Sequence, residues 1–555
     1  MSFYNAKCLL VFPRCNSASF WNYRKTCEIA GALYPATPLG LATVAALLPE
    51  TWSMRLIDCN IEELTDKDIE WADIVLSGGM IAQQFEHLKL IERIKGKNKI
   101  HVVGGPDPTS SPEIYDRVDH LILGEAEVTL PEFLRDFLAG TPKHLYLANN
   151  RKADMALSPI PRFDLFKFRH YLHVGIQFAR GCPFRCEFCD IIELFGRVPR
   201  VKSAGQLLAE VQRLHDLGYR GHIDLVDDNF IGNKRAVKEL LPRLRRWLDD
   251  NGTPFEFSTE ASINLADDEE LMDLMQDVGF CAIFVGIESP DEAALLATQK
   301  PQNTRRSIAE SCQRIRRHGM VVNAGYIVGL DGETENIAEE MLDCIDATSA
   351  PIAMVGLLFA LPNTQLSRRL ATEGRLDLNS SVMTQDSGDQ CVTGLNFKTG
   401  RRRSSVLSDY RRIISECYSP ENYFGRVLRF VLQMDCSRKR LRIPFSQQLR
   451  DLRSFTRMVR ALGIEAPYRR HFWHVLSQCL WHNPRAFRYA GAMMALYLHF
   501  GPFSQYVVAR VDAELSSAPE RELLGDTHSS TAISAFTIPE RTAAGKSEPL
   551  ITSDP

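Results

Sequence analysis

Cys182, Cys186 and Cys189 stand four and three residues apart in the stretch FARGCPFRCEFCDI, residues 178–191. Thiols gathered this tightly in one loop point first to a metal. A structural zinc site takes four donors, commonly as two Cys-x-x-Cys pairs, and no partner pair occurs elsewhere in the chain. Buried free thiols are the other plain explanation, but three within eight residues between Gly181 and Asp190 suit a loop poorly. An iron–sulfur cluster on three thiolates meets the spacing and leaves one iron open to bind something else.

The motif C-x-x-x-C-x-x-C follows the first strand of a βα repeat, with aromatic Phe188 before the last cysteine. In this it resembles the signature of radical S-adenosylmethionine (SAM) enzymes. The resemblance implies a [4Fe–4S] cluster on Cys182, Cys186 and Cys189, whose open iron chelates the amino and carboxylate groups of SAM. One electron then cleaves the sulfonium bond and yields a 5′-deoxyadenosyl radical. Further SAM contacts are implied at Asp227 or Asp228, at Glu260 and Glu288, and along AGYIVGL (324–330). Each of these acids also suits an ordinary helix cap or turn. No catalytic residue is assigned beyond these cofactor positions.

The cysteine loop needs a scaffold, and the pattern from 171 to 399 supplies one. Apolar runs at 173–180, 221–230, 255–262, 281–289, 321–330 and 352–360 read as strands, separated by helical stretches such as 204–218, 236–250 and 304–319. Six βα-like units predict a partial barrel with its active groups on the C-terminal rim. Residues 1–142 alternate apolar strands (7–12, 53–59, 73–78, 99–105, 120–127) with helices (38–48, 82–95, 129–140). That alternation predicts a doubly wound, Rossmann-like α/β domain. Its strand ends carry Ser77-Gly78-Gly79, Gly104-Gly105 and Gly124-Glu125, small residues that let backbone approach a bulky ligand or simply make turns. Residues 143–170 read as a linker, 400–515 as a helical domain rich in arginine and aromatics, and 516–555 as a disordered tail.

A doubly wound domain ahead of such a barrel resembles the cobalamin-binding radical SAM subclass. YPATPLGLATVAALL (34–48), with Pro38 and Gly40, is similar to that subclass's first loop and helix, and VVGGPDPT (102–109) and LILGEAE (121–127) to its later strand ends. Cobalamin contacts are thereby implied at Pro38, Gly40, Ser77, Gly78, Gly79, Gly104, Gly105, Gly124 and Glu125. The Asp-x-His-x-x-Gly motif that brings a histidine to cobalt is absent, since Asp119 and His120 are adjacent. The resemblance therefore implies a cobalt without a protein histidine.

Together the two cofactors imply methylation of a carbon with no acidic proton and no lone pair. A deoxyadenosyl radical removes a hydrogen atom, and methylcobalamin supplies the methyl group, the hard chemistry belonging to the cofactors. Over residues 5–510 the chain is similar to the hopanoid C-2 methylases and their neighbours, which implies a polycyclic lipid substrate and a reductant such as flavodoxin or ferredoxin. The alternative is a radical SAM enzyme that cyclises, rearranges or oxidises another substrate, a tetrapyrrole for example, without methyl transfer.

A formal net charge of −4 gives no basic excess to attract nucleic acid. The scattered remaining cysteines and the start MSFYNAKCLLVF fit a reducing cytoplasm rather than secretion. Within the arginine- and aromatic-rich segment 467–503, the stretch between Arg488 and Arg510 is apolar but broken by His499, Gly501 and Pro502. It suits a buried helical cap or peripheral contact with a membrane surface, not a membrane span.

Overall fold

The structure is a computed structural model that describes residues 5–16, 18–377, 383, 389–437 and 445–524. Most of the expected tail, from 525 onward, lies outside the described residues. The first 150 residues form β1 (Lys7–Phe12), β2 (Tyr34–Ala36), β3 (Ser53–Asp58), β4 (Ile74–Gly78), β5 (Ile100–Gly104), β6 (His120–Leu123) and β7 (Leu145–Leu147). Six of them build one parallel sheet in the order β3-β1-β4-β5-β6-β7. Cys8, Leu9, Leu10 and Val11 of β1 are fully buried, as expected of a central parallel strand covered on both faces. The order reverses between β1 and β4, and the loops leaving β4 and β5 lie together at the carboxyl edge of the sheet.

The second sheet is built from β8 (Tyr171–Ile176), then β11 (Gly221–Leu225), β12 (Phe255–Glu260), β13 (Phe280–Glu288), β14 (Val321–Val328) and β15 (Ala353–Leu357), after the small ribbon β9 (Ala179–Arg180) and β10 (Arg200–Val201). Its order is β15-β14-β13-β12-β11-β8-β2, all parallel, so it is an open half-barrel of seven strands. Six were legible as apolar runs. The seventh, β2, has three residues including Pro35, and it leaves the first domain to pair with β8 through Tyr34–Tyr171 and Ala36–His173. The stretch read as a linker likewise gives β7 to the first sheet. Strands this short depend on a neighbour's edge rather than on their own pattern. The run 173–180 also splits, because the chain leaves the sheet at Ile176 and re-forms as β9.

Helices complete the units with ordinary signals. Ser203 and Gln206 form a capping box at the start of Ala204–Asp216, and Gly279, at φ 101°, ends Glu269–Val278. At the open side of the half-barrel, Tyr410 donates to Val355 O at 3.1 Å and Tyr418 to Ala353 O at 2.6 Å. Both lie in or just after helix Arg403–Cys417, which thereby covers the edge strand β15. Helix Phe487–Leu524 runs through this C-terminal layer with Ala490, Met494, Phe500 and Val511 buried. It packs on helix Arg24–Ala30 from the other end of the chain, and Thr26 Oγ1 donates to Ala495 O at 3.1 Å. The segment after Arg488 is thus a buried helix. Among the described residues, no helix is long and apolar enough to cross a membrane.

Gly104 is demanded by the sheet itself, because a Cβ there would lie 2.8 Å from the carbonyl oxygen of Ile122 on β6. Replacing it with Ala therefore forces two paired strands apart. Gly104→Ala is expected to destabilise the apo chain by about 1–3 kcal/mol, the usual range for overpacking, read by denaturant unfolding without added cobalamin. An unchanged midpoint would show that the sheet relaxes freely at this point.

Candidate functional site

The cysteine loop is held from both sides. Asp227, beyond the end of β11, accepts hydrogen bonds from the backbone N–H groups of Phe178 at 2.7 Å and Ala179 at 3.0 Å. Asp228 accepts from Gly181 N at 2.8 Å. Burial pushes Asp227 up to about 8 and Asp228 to about 6. Beyond Cys186, the carboxylate of Glu187 takes two bonds from Arg369, at 3.0 and 2.8 Å, and Glu187 O accepts from Leu366 N at 2.8 Å. The three thiols are thus presented by a braced loop, and none is in a disulfide.

Their surroundings fit a thiolate-held cluster. Asn229 Nδ2 lies 3.9 Å from Cys182 Sγ, and Gln302 Nε2 lies 3.7 Å from Cys186 Sγ. The buried Lys300 is ion-paired with Glu288, which together with Cys186 and Cys189 holds it protonated against the effect of burial. Burial raises all three thiol pKa values, so the protein alone does not favour thiolates here. Iron would supply the missing positive charge, with the Asn229 and Gln302 amides directed at two of the sulfur atoms and the Lys300 ammonium nearby. A second set of donors, His222, Glu256 and Cys281, comes within 4.8 Å of one another. Arg488 already sits 3.3 Å from both oxygens of Glu256, so that set is satisfied as a salt-bridged network.

Cys189 and Phe188 open onto a cavity of about 590 Å³. One wall is the inner face of the half-barrel: Phe284, Gly286 and Glu288 on β13, Gly325 and Ile327 on β14, and Met354 and Gly356 on β15. Facing it are Met80, Ile81 and Ala82, after the glycines of β4, and Pro106, Asp107 and Ser110, after those of β5. Most of this lining is apolar. Glu288 has φ 67°, in the left-handed region, where the register between β13 and β14 shifts. A bulge of this kind re-aims a side chain, and here it turns the carboxylate toward Lys300. Glu260 ends β12 exposed to water and outside the cavity lining, and its surroundings, Asp224, Asp227 and Asp228 among them, raise its carboxyl above the usual carboxylate range.

The residues expected to meet cobalamin are distributed unevenly. Gly78, Gly104, Gly105 and Gly124 are half-buried at adjacent strand ends, with Gly79 buried among them. Gly105 has φ 104°, and a Cβ there would come within 3.1 Å of Gly79 N, so the two loops approach through bare backbone. These glycines do not themselves line the cavity; the loops that follow them, Met80–Ala82 and Pro106–Ser110, do. Ser77 sits just beneath, its hydroxyl 2.8 Å from His87 Nε2 and 2.7 Å from His101 Nε2, all three buried. Pro38 and Gly40 do not line the cavity; they start the helix Leu39–Leu47 that follows β2 on the half-barrel edge. Glu125 does not line it either. Its carboxylate pairs with Arg180 at 3.0 Å and Arg200 at 2.9 Å, while Glu127 takes the other end of Arg180 at 2.8 Å. His120 stands at the far end of β6 from Gly124, its ring against Phe133. Among the described residues, no histidine lines the cavity.

Sequence reasoning did not single out Lys300, Gln302, Asn229, Arg180 or the Met80–Ala82 loop. Arg180 and Lys300 are ordinary in type and become informative only when opposite charges approach from distant segments. The loops after β4 and β5 had one signal, their place beyond the glycines.

A braced three-cysteine loop on a half-barrel, opening across a cavity onto a glycine-ended parallel domain, defines a radical SAM enzyme with a cobalamin domain. The B12 binding domain family matches residues 28–134, the Radical SAM superfamily residues 176–345, and a domain of unknown function, DUF4070, residues 364–513. An uncharacterized methyltransferase of Synechocystis is 38% identical over 93% of this chain and 95% of its own length. The hopanoid C-2 methylase of Rhodopseudomonas palustris is 33% identical over 84% of this chain and 88% of its own. The fold is similar to that of the cobalamin-dependent SAM radical enzyme OxsB with aqua-cobalamin bound, at TM-score 0.57 and 16% identity, covering 94% of this chain and 81% of that one. The chain belongs to the cobalamin-dependent radical SAM methyltransferases, whose cofactors are a [4Fe–4S] cluster, SAM and cobalamin.

Anaerobically purified protein is expected to carry one cluster, and the Cys182→Ala, Cys186→Ala, Cys189→Ala triple variant to lose its iron and all SAM cleavage. Lys300→Met should keep the iron and lower the cluster's midpoint potential, read by potentiometric titration of the reduced-cluster resonance, because a buried cation beside the sulfur atoms stabilises the reduced state. Full iron content in the triple variant would exclude these ligands.

Proposed function

We propose that this methyltransferase acts on an unactivated ring carbon of a polycyclic lipid of the hopanoid class. The observation that carries the reading is the cavity, which has the cysteine loop on one side, the glycine-ended loops on the other, and apolar walls between. When bound, the cluster and SAM supply the radical that removes hydrogen, and cobalamin supplies the methyl group. The chain's own residues do the rest. Phe284, Ile327, Met354 and Leu357 present apolar surface to an alicyclic ring and exclude water from the reacting carbon. Glu260 and Glu288 offer carboxyl groups to the polar end of SAM, with Asp228 as a third candidate whose other oxygen is not held by Gly181.

Asp227 acts differently in this reading. With two backbone N–H groups on its carboxylate, it serves as a positioning residue that fixes the approach to Cys182. Gly78, Gly79, Gly104 and Gly105 form the floor for the macrocycle, and Ser77 is a buried support between two neutral imidazoles. Burial holds His87 and His101 at about 3, so both remain uncharged. The substrate class draws further support from likeness to two hopanoid methylases, the second being the hopanoid C-3 methylase of Methylococcus capsulatus at 25% identity over 54% of this chain.

Three measurements test the reading. The cob(II)alamin form should show no nitrogen splitting from a lower ligand in its paramagnetic resonance spectrum, because no histidine among the described residues lines the cavity; clear coupling to a protein histidine would contradict it. Each methylated product should consume two SAM molecules, giving one S-adenosylhomocysteine and one 5′-deoxyadenosine. Deleting the gene from a hopanoid-making host should abolish the methylated hopanoid, and complementation with Cys186→Ala should not restore it. Persistence of methylhopanoids in the deletion strain sinks the substrate; deoxyadenosine without labelled methyl transfer sinks the chemistry proposed for it.

A further inference from the structure

The C-terminal layer contains a helix with two apolar faces, only one of which is covered. Helix Arg469–His482 buries Phe472, Val475, Leu476 and Cys479 against the core. On its other side Trp473 is 45% exposed, Leu480 53% and Trp481 84%. Spacings of seven and eight residues put these three on one stripe. Trp473 Nε1 donates to Gly463 O at 2.9 Å, which sets Ile464, itself 63% exposed, beside the stripe. Soluble proteins seldom leave a contiguous patch of large apolar side chains in water without a use for it.

Charge says what covers it. Between Arg450 and Arg485 the chain has seven arginines, no lysine and two acids, a net charge of +5 in a chain whose formal total is −4. Arg469 and Arg470 stand one turn before Trp473, and Arg485 stands four residues after Trp481. All three are exposed, and none forms an ion pair among the described residues. The aromatic stripe is therefore bracketed by unpaired guanidinium groups, Arg469 and Arg470 at the start of the helix and Arg485 in the short turn just beyond its end. A second copy of the chain would bring the same positive charge against itself. An anionic lipid surface instead matches both features, because tryptophan settles at the headgroup level and arginine pairs with lipid phosphate.

We propose that the face formed by Ile464, Trp473, Leu480 and Trp481, flanked by Arg469, Arg470 and Arg485, docks the enzyme onto a membrane surface carrying anionic lipid. It lies on a different layer from the cysteine loop, so docking leaves the cavity of the half-barrel and its cofactors in place. The contact is peripheral: the helix stays packed on its buried side, and only the exposed stripe enters the interface.

The test is cosedimentation of the full-length, cluster-loaded enzyme with vesicles of phosphatidylcholine alone and of phosphatidylcholine mixed with phosphatidylglycerol. Stronger binding to the mixed vesicles is expected, weakening as salt is raised. The Arg469→Glu, Arg470→Glu, Arg485→Glu variant should lose about a hundredfold in partitioning, since each arginine near an anionic surface contributes about fivefold. The Trp473→Ala, Trp481→Ala variant should lose about tenfold on the same vesicles. Circular dichroism and iron content check that both variants remain folded. No sedimentation with the mixed vesicles, or binding that neither variant weakens, overturns the proposal. So does a self-associated chain in sedimentation velocity that Trp473→Ala, Trp481→Ala converts to monomer, because the face would then be an interface between copies. Vesicle binding is read without substrate or turnover, so its failure is distinguishable from failure of the hopanoid reading.

Discussion

The Arg180 guanidinium lies between Glu125 and Glu127, and the active half of the molecule is arranged around that contact. The two glutamates belong to the end of β6 and the helix after it, in the cobalamin domain. Arg180 closes β9, two residues before Cys182. Arg200, on β10, joins from the side and also donates to Phe195 O at 2.9 Å. One buried group of charges thus ties the first sheet to the base of the cysteine loop. Removing one member would leave an unpaired buried charge, typically a loss of about 3–5 kcal/mol. The direction of Arg180's own shift agrees with this: its neighbours hold it protonated against burial.

With that distance set, the rest of the site follows from what each element can present. A parallel sheet puts its loops at one edge, so β4 and β5 aim Met80–Ala82 and Pro106–Ser110 across the gap. The half-barrel presents its inner face, where glycines on three neighbouring strands keep the wall shallow. Several acids around it are held by partners: Asp227 and Asp228 by backbone N–H groups under the loop, Glu288 by Lys300, and Asp107 by Gln84 and Tyr115. What remains toward the middle is apolar, the right setting for a carbon centre that must be kept from water.

The C-terminal layer closes the open side of the half-barrel with tyrosine hydroxyls on strand carbonyls, and helix Arg24–Ala30 locks that layer to the start of the chain. The molecule is therefore interleaved rather than serial. β2 leaves the first domain for the half-barrel, and β7 returns from the following segment to the first sheet. Continuous stretches of sequence suggest neat boundaries because periodicity reports local structure. Strand exchange of this kind is decided by which sheet edge is free, a property of the assembled molecule.

The sequence by itself determined the chemistry of the cysteine loop, since three ligands of one cluster can be near neighbours in the chain and their spacing is then visible. It also determined most strands, whose burial on both faces makes them apolar throughout, and the absence of an adjacent histidine motif. Only the tertiary structure decided what each strand-end acid does. Asp227 and Glu260 look alike in sequence, each at or just beyond the end of a barrel strand. Asp227 meets two backbone N–H groups that lie 49 and 48 residues away and becomes a brace, whereas Glu260, at the end of its strand, stays open to water. A side chain's role there depends on which donors and charges arrive from other segments, and those distances exist only once the chain is folded.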